Sequence, residues 1–174
     1  MFKKGEYVVY GSVGLCHIED ITHMSMTGTD KNKLYYVLKP FRVKDRKIYT
    51  PIDNEKVRIR KVISSEEAIE MIDEALDINV VCIKDEKRIE EKFKELARQG
   101  KPKDWIRLIK TLYVRKQERN SQGKKITATD EKYMKMAENH LYSELGFALG
   151  IKEDEMEEYI TQKVTKAKSL YSDQ

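Results

Sequence analysis

Val57-Arg58-Ile59-Arg60-Lys61-Val62 runs without a break into Ile63-Ser64-Ser65-Glu66-Glu67-Ala68-Ile69. The first stretch alternates apolar and basic residues, the period-two pattern of a half-buried strand. The second opens with Ser64 and Glu67 at capping-box spacing. Ala68, Ile69, Ile72, Ala75 and Leu76 then recur at helical spacing. Period two gives way to period 3.6 at Ile63, so the reading divides the chain into 1–62 and 63–174.

Working back from the switch, residues 2–62 read as β structure throughout. Tyr7-Val8-Val9-Tyr10 precedes a turn with Gly11 and Gly14, and Leu15 to Ile21 follows. Thr27 to Asn32 is a polar turn cluster, Leu34-Tyr35-Tyr36-Val37-Leu38 is the strongest strand signal, and Arg46 to Thr50 stops at Pro51. Five short strands in so few residues predict a small antiparallel barrel of the SH3 or Tudor kind. An exposed edge in such a domain can pair with a partner's strand.

Working forward, the chain reads helical almost to its end, with about five helices. A second helix over about 85–99, with Ile89, Phe93, Leu96 and Ala97 as its stripe, should stop at Gly100. A third over about 104–119 would turn Trp105, Leu108, Ile109, Leu112 and Tyr113 inward, with Asp104 as N-cap. After the loop 120–126, Thr127 and Asp130 mark another cap, and Tyr133 to Leu145 continue a helix expected to end at Gly146. An acidic helix from about Glu153 closes the chain. The fold class is therefore α+β in two domains, a Tudor-like barrel followed by an all-α domain.

Charge is distributed unevenly. The formal net charge is +4. The balances along 1–62, 63–80, 81–140 and 141–174 are +6, −6, +7 and −3. Two basic modules thus flank an acidic helix and precede an acidic tail, a pattern compatible with anionic partners. Between residues 101 and 119, Lys101, Lys103, Arg107, Lys110, Arg115, Lys116 and Arg119 face only Asp104 and Glu118. Lys124, Lys125, Lys132 and Lys135 follow. Cations gathered on one side would neutralise phosphates and release counterions; the bland alternative is a solvated helix face. Trp105, the only tryptophan, fits the core stripe of its helix, and as an aromatic in a basic helix it is also a candidate wedge.

Other chemistries find little support. The three histidines, His17, His23 and His140, are scattered, and the two cysteines, Cys16 and Cys82, are far apart. Neither a metal site nor a disulfide is expected. Phosphate-binding glycine loops are lacking, and no nucleophile pairs with a base, so neither a cofactor nor an enzyme is expected. No signal core follows the N-terminal lysines and no apolar run is long enough to span a bilayer, so no membrane association is expected and a cytoplasmic location is.

The layout resembles the CarD family, whose N-terminal domain is shared with transcription-repair coupling factors. The resemblance covers most of residues 1–150. It is carried by Phe2 to Tyr10, Gly14, Tyr35 to Lys39 and the strand into Pro51. In the helical part it is carried by Lys94 to Ala97, Leu112 to Arg119 and Leu141 to Leu145. It implies a Tudor-like domain that docks on the β1 lobe of the RNA polymerase β subunit. It also implies a helical domain that meets promoter DNA at the upstream edge of the transcription bubble and stabilises the open complex. The polymerase surface would include Lys47, Ile48 and Tyr49 and the turn near Met24. Arginines are frequent in the family at the positions matched to Met24 and Tyr49. The family's wedge tryptophan aligns with Asp85, whereas Trp105 falls one helix later. Lys87 and Arg88 match basic family positions. The DNA contact implied is mainly with phosphates, through Lys87, Arg88, Arg115, Lys116, Arg119, Lys124, Lys125 and Lys132, with Trp105 as a possible substitute wedge. The chain is expected to act as a monomer, with dimerisation through the barrel edge as the alternative. A protein-interaction module without DNA contact is the competing function.

Overall fold

The computed structural model describes residues 1–25, 30–81 and 86–172. Cys82, Asp85 and the first part of the turn 27–32 lie outside the described residues. The chain divides into two compact units, Met1–Val62 and Ile63–Gln174.

The first unit is one antiparallel sheet of five strands. These are β1 (Tyr7–Tyr10), β2 (Gly14–His23), β3 (Leu34–Pro40), β4 (Ile48–Pro51) and β5 (Ile59–Lys61), in the order β4-β3-β2-β1-β5. Val8, Tyr10, Cys16, Ile18, Tyr36 and Leu38 form the core on its inner face. Burial raises the Cys16 thiol to about 12, so it stays a protonated, unreactive filler.

The small barrel-like sheet is open on one side, where β4 and β5 do not pair. Strands of four and three residues leave little ladder to close. Side-chain bonds hold that side instead. Tyr10 Oη donates to Thr50 Oγ1 at 3.1 Å, and Asn54 Nδ2 donates to the same oxygen at 2.8 Å. Ile52 and Val57, from the segment between the two strands, pack on the core.

A bulge interrupts β2 between Ile18 and Asp20. Cys16 and Ile18 point inward at a spacing of two, yet the next inward residue is Ile21. The extra residue turns both Glu19 and Asp20 to the outer face and returns the apolar phase to the core. The broken alternation in Ile18-Glu19-Asp20-Ile21 is its sequence trace.

The second unit packs α1 (Ser65–Asp73), α2 (Ile89–Gln99), α3 (Pro102–Ser121), α4 (Ala128–Leu149) and α5 (Glu153–Ser172). Both capping boxes form, Ser64 with Glu67 and Thr127 with Asp130. Gly100 ends α2 in the left-handed conformation. Trp105, Phe93, Leu108, Leu112, Leu145 and Met156 are its largest fully buried apolar side chains.

Four helical expectations are corrected. Asp104 is not the N-cap of α3; Lys101 is, with Pro102 in the first turn, and Asp104 pairs with Arg107 one turn on. Ile69 and Tyr113 are exposed, while Met71 and Ile106 take the inward places. Gly146 does not end α4, which continues to Gly150. A Cβ at Gly146 would lie 2.7 Å from the Ile151 carbonyl oxygen and 3.4 Å from Met156. The glycine is there for the close return of the chain into α5, not to stop the helix.

Candidate functional site

The residues expected to contact partners fall on two surfaces, one on each unit.

On the sheet, β4 is an edge strand, paired on one side with β3. Ile52 N–H donates to Leu34 O at 3.0 Å. By antiparallel alternation the Thr50/Tyr36 and Ile48/Leu38 pairs are hydrogen-bonded to each other, and the Tyr49/Val37 and Pro51/Tyr35 pairs are not. Tyr49 therefore aims its N–H and C=O away from the sheet. Pro51 falls on the same outward phase and lacks an N–H, so it costs the sheet nothing. The side chain of Thr50 is buried, that of Ile48 half-buried, and Tyr49 is 47% exposed.

Lys47 stands at the head of this edge and is exposed. Its Nζ lies 2.8 Å from Glu19 Oε2, and Lys39 approaches the same carboxylate at 3.8 Å. The Lys47 bond holds Glu19 below the ordinary carboxylate range, and Glu19 holds Lys47 above the ordinary lysine range. Lys47, Tyr49, Val37, Glu19, His17 and Lys4 line a polar depression of 570 Å³ on the outer face. Met24, expected on this surface, is buried at 8% exposure. Its side chain offers a partner little area.

On the helical unit the expected cations divide into two groups. Lys116, Lys124, Lys125 and Lys132 are exposed, as are Lys87 and Arg88 near the start of α2. Arg88 Nε lies 3.3 Å from Glu91, and Lys132 Nζ sits 5.3 Å from the Tyr133 ring centre. The loop after α3 is rigidly shaped. Lys124 N–H donates to Arg119 O at 2.9 Å and Gly123 N–H donates to Asn120 O at 3.0 Å. This is a Schellman motif with Gly123 at φ 69, the position that requires glycine. Arg119 Nε donates to Lys125 O at 2.9 Å, so this arginine braces the loop that displays Lys124 and Lys125.

Two expected DNA residues are committed to the interior. Trp105 is 1% exposed and stacks on His140, with ring centres 4.6 Å apart and planes 6° apart. It cannot reach a base step without opening the core, which supports the core reading of Trp105 over the wedge reading. Arg115 is 12% exposed, and its Nε lies 3.0 Å from both oxygens of Asp130, which is fully buried. The pair fastens α3 to the first turn of α4. Lys110 is withdrawn as well: its Nζ donates to Ala75 O and Leu76 O at 2.8 Å and to Ile78 O at 2.5 Å. Those carbonyls lie beyond the end of α1, where a cation is favoured.

A family model, the CarD-like/TRCF RID domain, matches residues 2–63. The first unit is a CarD-like/TRCF RID domain. A RID domain implies interaction with RNA polymerase, so the chain is an RNA polymerase-interacting regulator. The match ends where the sheet ends, and the helical unit is outside it. No curated protein matches the chain. Among the described residues, no helix is long and apolar enough to cross a membrane, and no cluster of metal-ligating side chains occurs.

Sequence reasoning missed Glu19, which fixes the cation beside the RID edge, and the second role of Asp130. Its capping role was visible at the spacing Thr127 to Asp130. Its bond to Arg115, fifteen residues back, had no local signal.

Proposed function

We propose that the RID domain adds its β4 edge to a strand of the RNA polymerase β subunit, in the β1 lobe, while the helical unit meets promoter DNA upstream of the bubble. The observation that carries this reading is the unpaired β4 edge in a domain of polymerase-binding type. Pairing through the backbone tolerates the change from arginine at Tyr49 and the burial of Met24, since main-chain bonds need no particular side chain.

The DNA contact in this reading is electrostatic. Lys116, Lys124, Lys125 and Lys132, with Lys87 and Arg88, bind phosphates, and Arg119 positions the loop. Such contacts orient a protein on duplex DNA without reading sequence. Polymerase recruits the protein, and phosphate binding then changes open-complex lifetime. The protein acts in the cytoplasm, as a monomer, by binding rather than by catalysis. Promoter footprinting and open-complex lifetimes with intact polymerase test it. A Lys124→Ala/Lys125→Ala variant shortens the lifetime effect while polymerase binding persists.

The competing reading is an interaction module without DNA contact. The sequestration of Trp105 and Arg115 favours it, since neither side chain is free to face DNA. Unchanged open-complex lifetime in the double lysine variant, together with salt-insensitive promoter occupancy, selects this alternative.

A further inference from the structure

Between β3 and β4 the chain runs Phe41-Arg42-Val43-Lys44-Asp45-Arg46-Lys47, and all seven residues are exposed. Phe41 is 52% and Val43 45% exposed. The loop is fastened at both ends. Phe41 N–H donates to Leu15 O at 2.8 Å, and Lys47 is held by Glu19. Asp45 has φ 60, the one non-glycine residue with positive φ among the described residues. A short polar side chain tolerates that conformation best, and it turns the loop back into β4.

A turn that serves only to reverse the chain has no use for an exposed Phe and Val, and favours Gly, Asn, Asp and Ser instead. Here two apolar side chains stand among four cations, Arg42, Lys44, Arg46 and Lys47, the last held by Glu19. Aromatic, aliphatic and arginine groups together are what a protein interface concentrates at its centre.

We propose that residues 41–47 form a second contact arm of the RID domain. The arm grips an acidic protein surface, with Asp or Glu beside an apolar patch, next to the strand that pairs with β4. The inference rests on the β4-edge reading. The arm leads directly into β4 at Lys47, so a strand added to that edge runs past its base. A protein partner fits better than nucleic acid on two counts. Val43 has no ring to stack on a base, and Asp45 places a carboxylate among the cations, where phosphates would be repelled.

The test uses the intact chain and purified RNA polymerase, with association and dissociation rates measured across salt concentrations. Arg42→Ala/Lys44→Ala/Arg46→Ala slows association about tenfold at low salt, and the difference fades as screening shortens the Debye length to a few ångströms. Phe41→Ser/Val43→Ser speeds dissociation about tenfold at every salt concentration, since buried apolar contacts act chiefly on the off-rate. All these positions are exposed, so far-ultraviolet circular dichroism stays that of the parent. Wild-type rates for both variants overturn the inference. Tyr49→Pro, which removes an outward N–H of β4, separates the two readings. Lost binding in Tyr49→Pro with unaltered loop variants upholds the edge and sinks the arm. Intact binding in Tyr49→Pro with weakened loop variants sinks the edge and leaves the arm supported. If the triple variant loses retention on duplex DNA while its polymerase rates are unchanged, the arm is a nucleic-acid contact and the inference is wrong.

Discussion

Replacing Asp130 with alanine isolates the most consequential reassignment in the helical unit. Asp130 is fully buried and accepts Arg115 Nε on both oxygens at 3.0 Å. It also accepts the Thr127 N–H at 3.4 Å, completing the box that starts α4. Removing one partner of a buried ion pair strands the other charge, at a cost of about 3–5 kcal/mol. Only the reciprocal half of the capping box is lost as well, since Thr127 Oγ1 still accepts the residue-130 N–H, so this adds less than the ~1 kcal/mol of a whole cap. Both losses come from one carboxylate, so the whole effect is about 4 kcal/mol. For a unit of roughly a hundred residues this lowers Tm by about 16 °C, at about 4 °C per kcal/mol. Trp105 lies in the same core and is the only tryptophan, so its fluorescence follows the unfolding. Arg115→Met/Asp130→Leu removes both charges together and should recover most of the loss, since apolar replacement of a buried pair is often close to neutral. The same double variant should keep the wild-type salt dependence of duplex DNA binding. A loss under about 1 kcal/mol in Asp130→Ala refutes the energetic argument. A salt slope reduced by about one in the double variant shows that Arg115 contacts a phosphate, and refutes its reassignment.

Further outcomes follow from the same geometry. Tyr49→Pro should leave the melting curve near that of the parent and weaken polymerase capture, whereas Thr50→Pro, which removes an N–H bonded to Tyr36, should unfold the sheet; thermal melts and pull-downs read both. Trp105→Ala should cost about 3–5 kcal/mol of stability by cavity formation, measured by urea melts followed by circular dichroism. Its DNA affinity at temperatures where it stays folded should match the parent. Lys124→Ala/Lys125→Ala should reduce the slope of log K against log salt by about 1.8 on duplex DNA, with Tm unchanged. Glu138 is raised above the ordinary glutamate range by burial first and by Glu157 second, with Lys116 opposing. The folded state therefore holds its proton more tightly than the unfolded chain does. That contribution is present at pH below the unfolded value and is lost as pH rises through the folded one. Glu138→Gln should raise Tm at neutral pH and leave it unchanged near pH 4, where the glutamate is largely protonated in both states.

Much of the architecture was written in local patterns. The change of period at Ile63, the two capping boxes and the stop at Gly100 each depend on residues within a few positions of one another. What local pattern did not convey depends on partners distant in the chain. Gly146 looks like a stop because glycine usually is one; only the carbonyl of Ile151 against it reveals a packing role. Ile69 and Met71 are equally plausible on a short helix, and the neighbouring helices decide which is buried. Strand number points to a small barrel with exposed edges, but which edges stay open depends on the short end strands β4 and β5. The basic face was overestimated for one reason. A count of cations does not say which of them are answered by a buried carboxylate or by helix-end carbonyls. Arg115 and Lys110 are answered in that way, and their partners lie fifteen and more than thirty residues away.

Pro51 gives the open edge a punctuation mark. Backbone pairing is indifferent to side chains and is therefore prone to slide by two residues, which restores the same faces in a new frame. On β4 the outward donors end at Tyr49, because the next outward position carries no hydrogen. A strand that slides toward Pro51 forfeits a bond worth about 0.5–1.5 kcal/mol, up to roughly a tenfold preference for the unshifted frame. In the proposed edge pairing, one imino acid would let an interface made of main chain keep a single frame with a partner whose side chains it need not read.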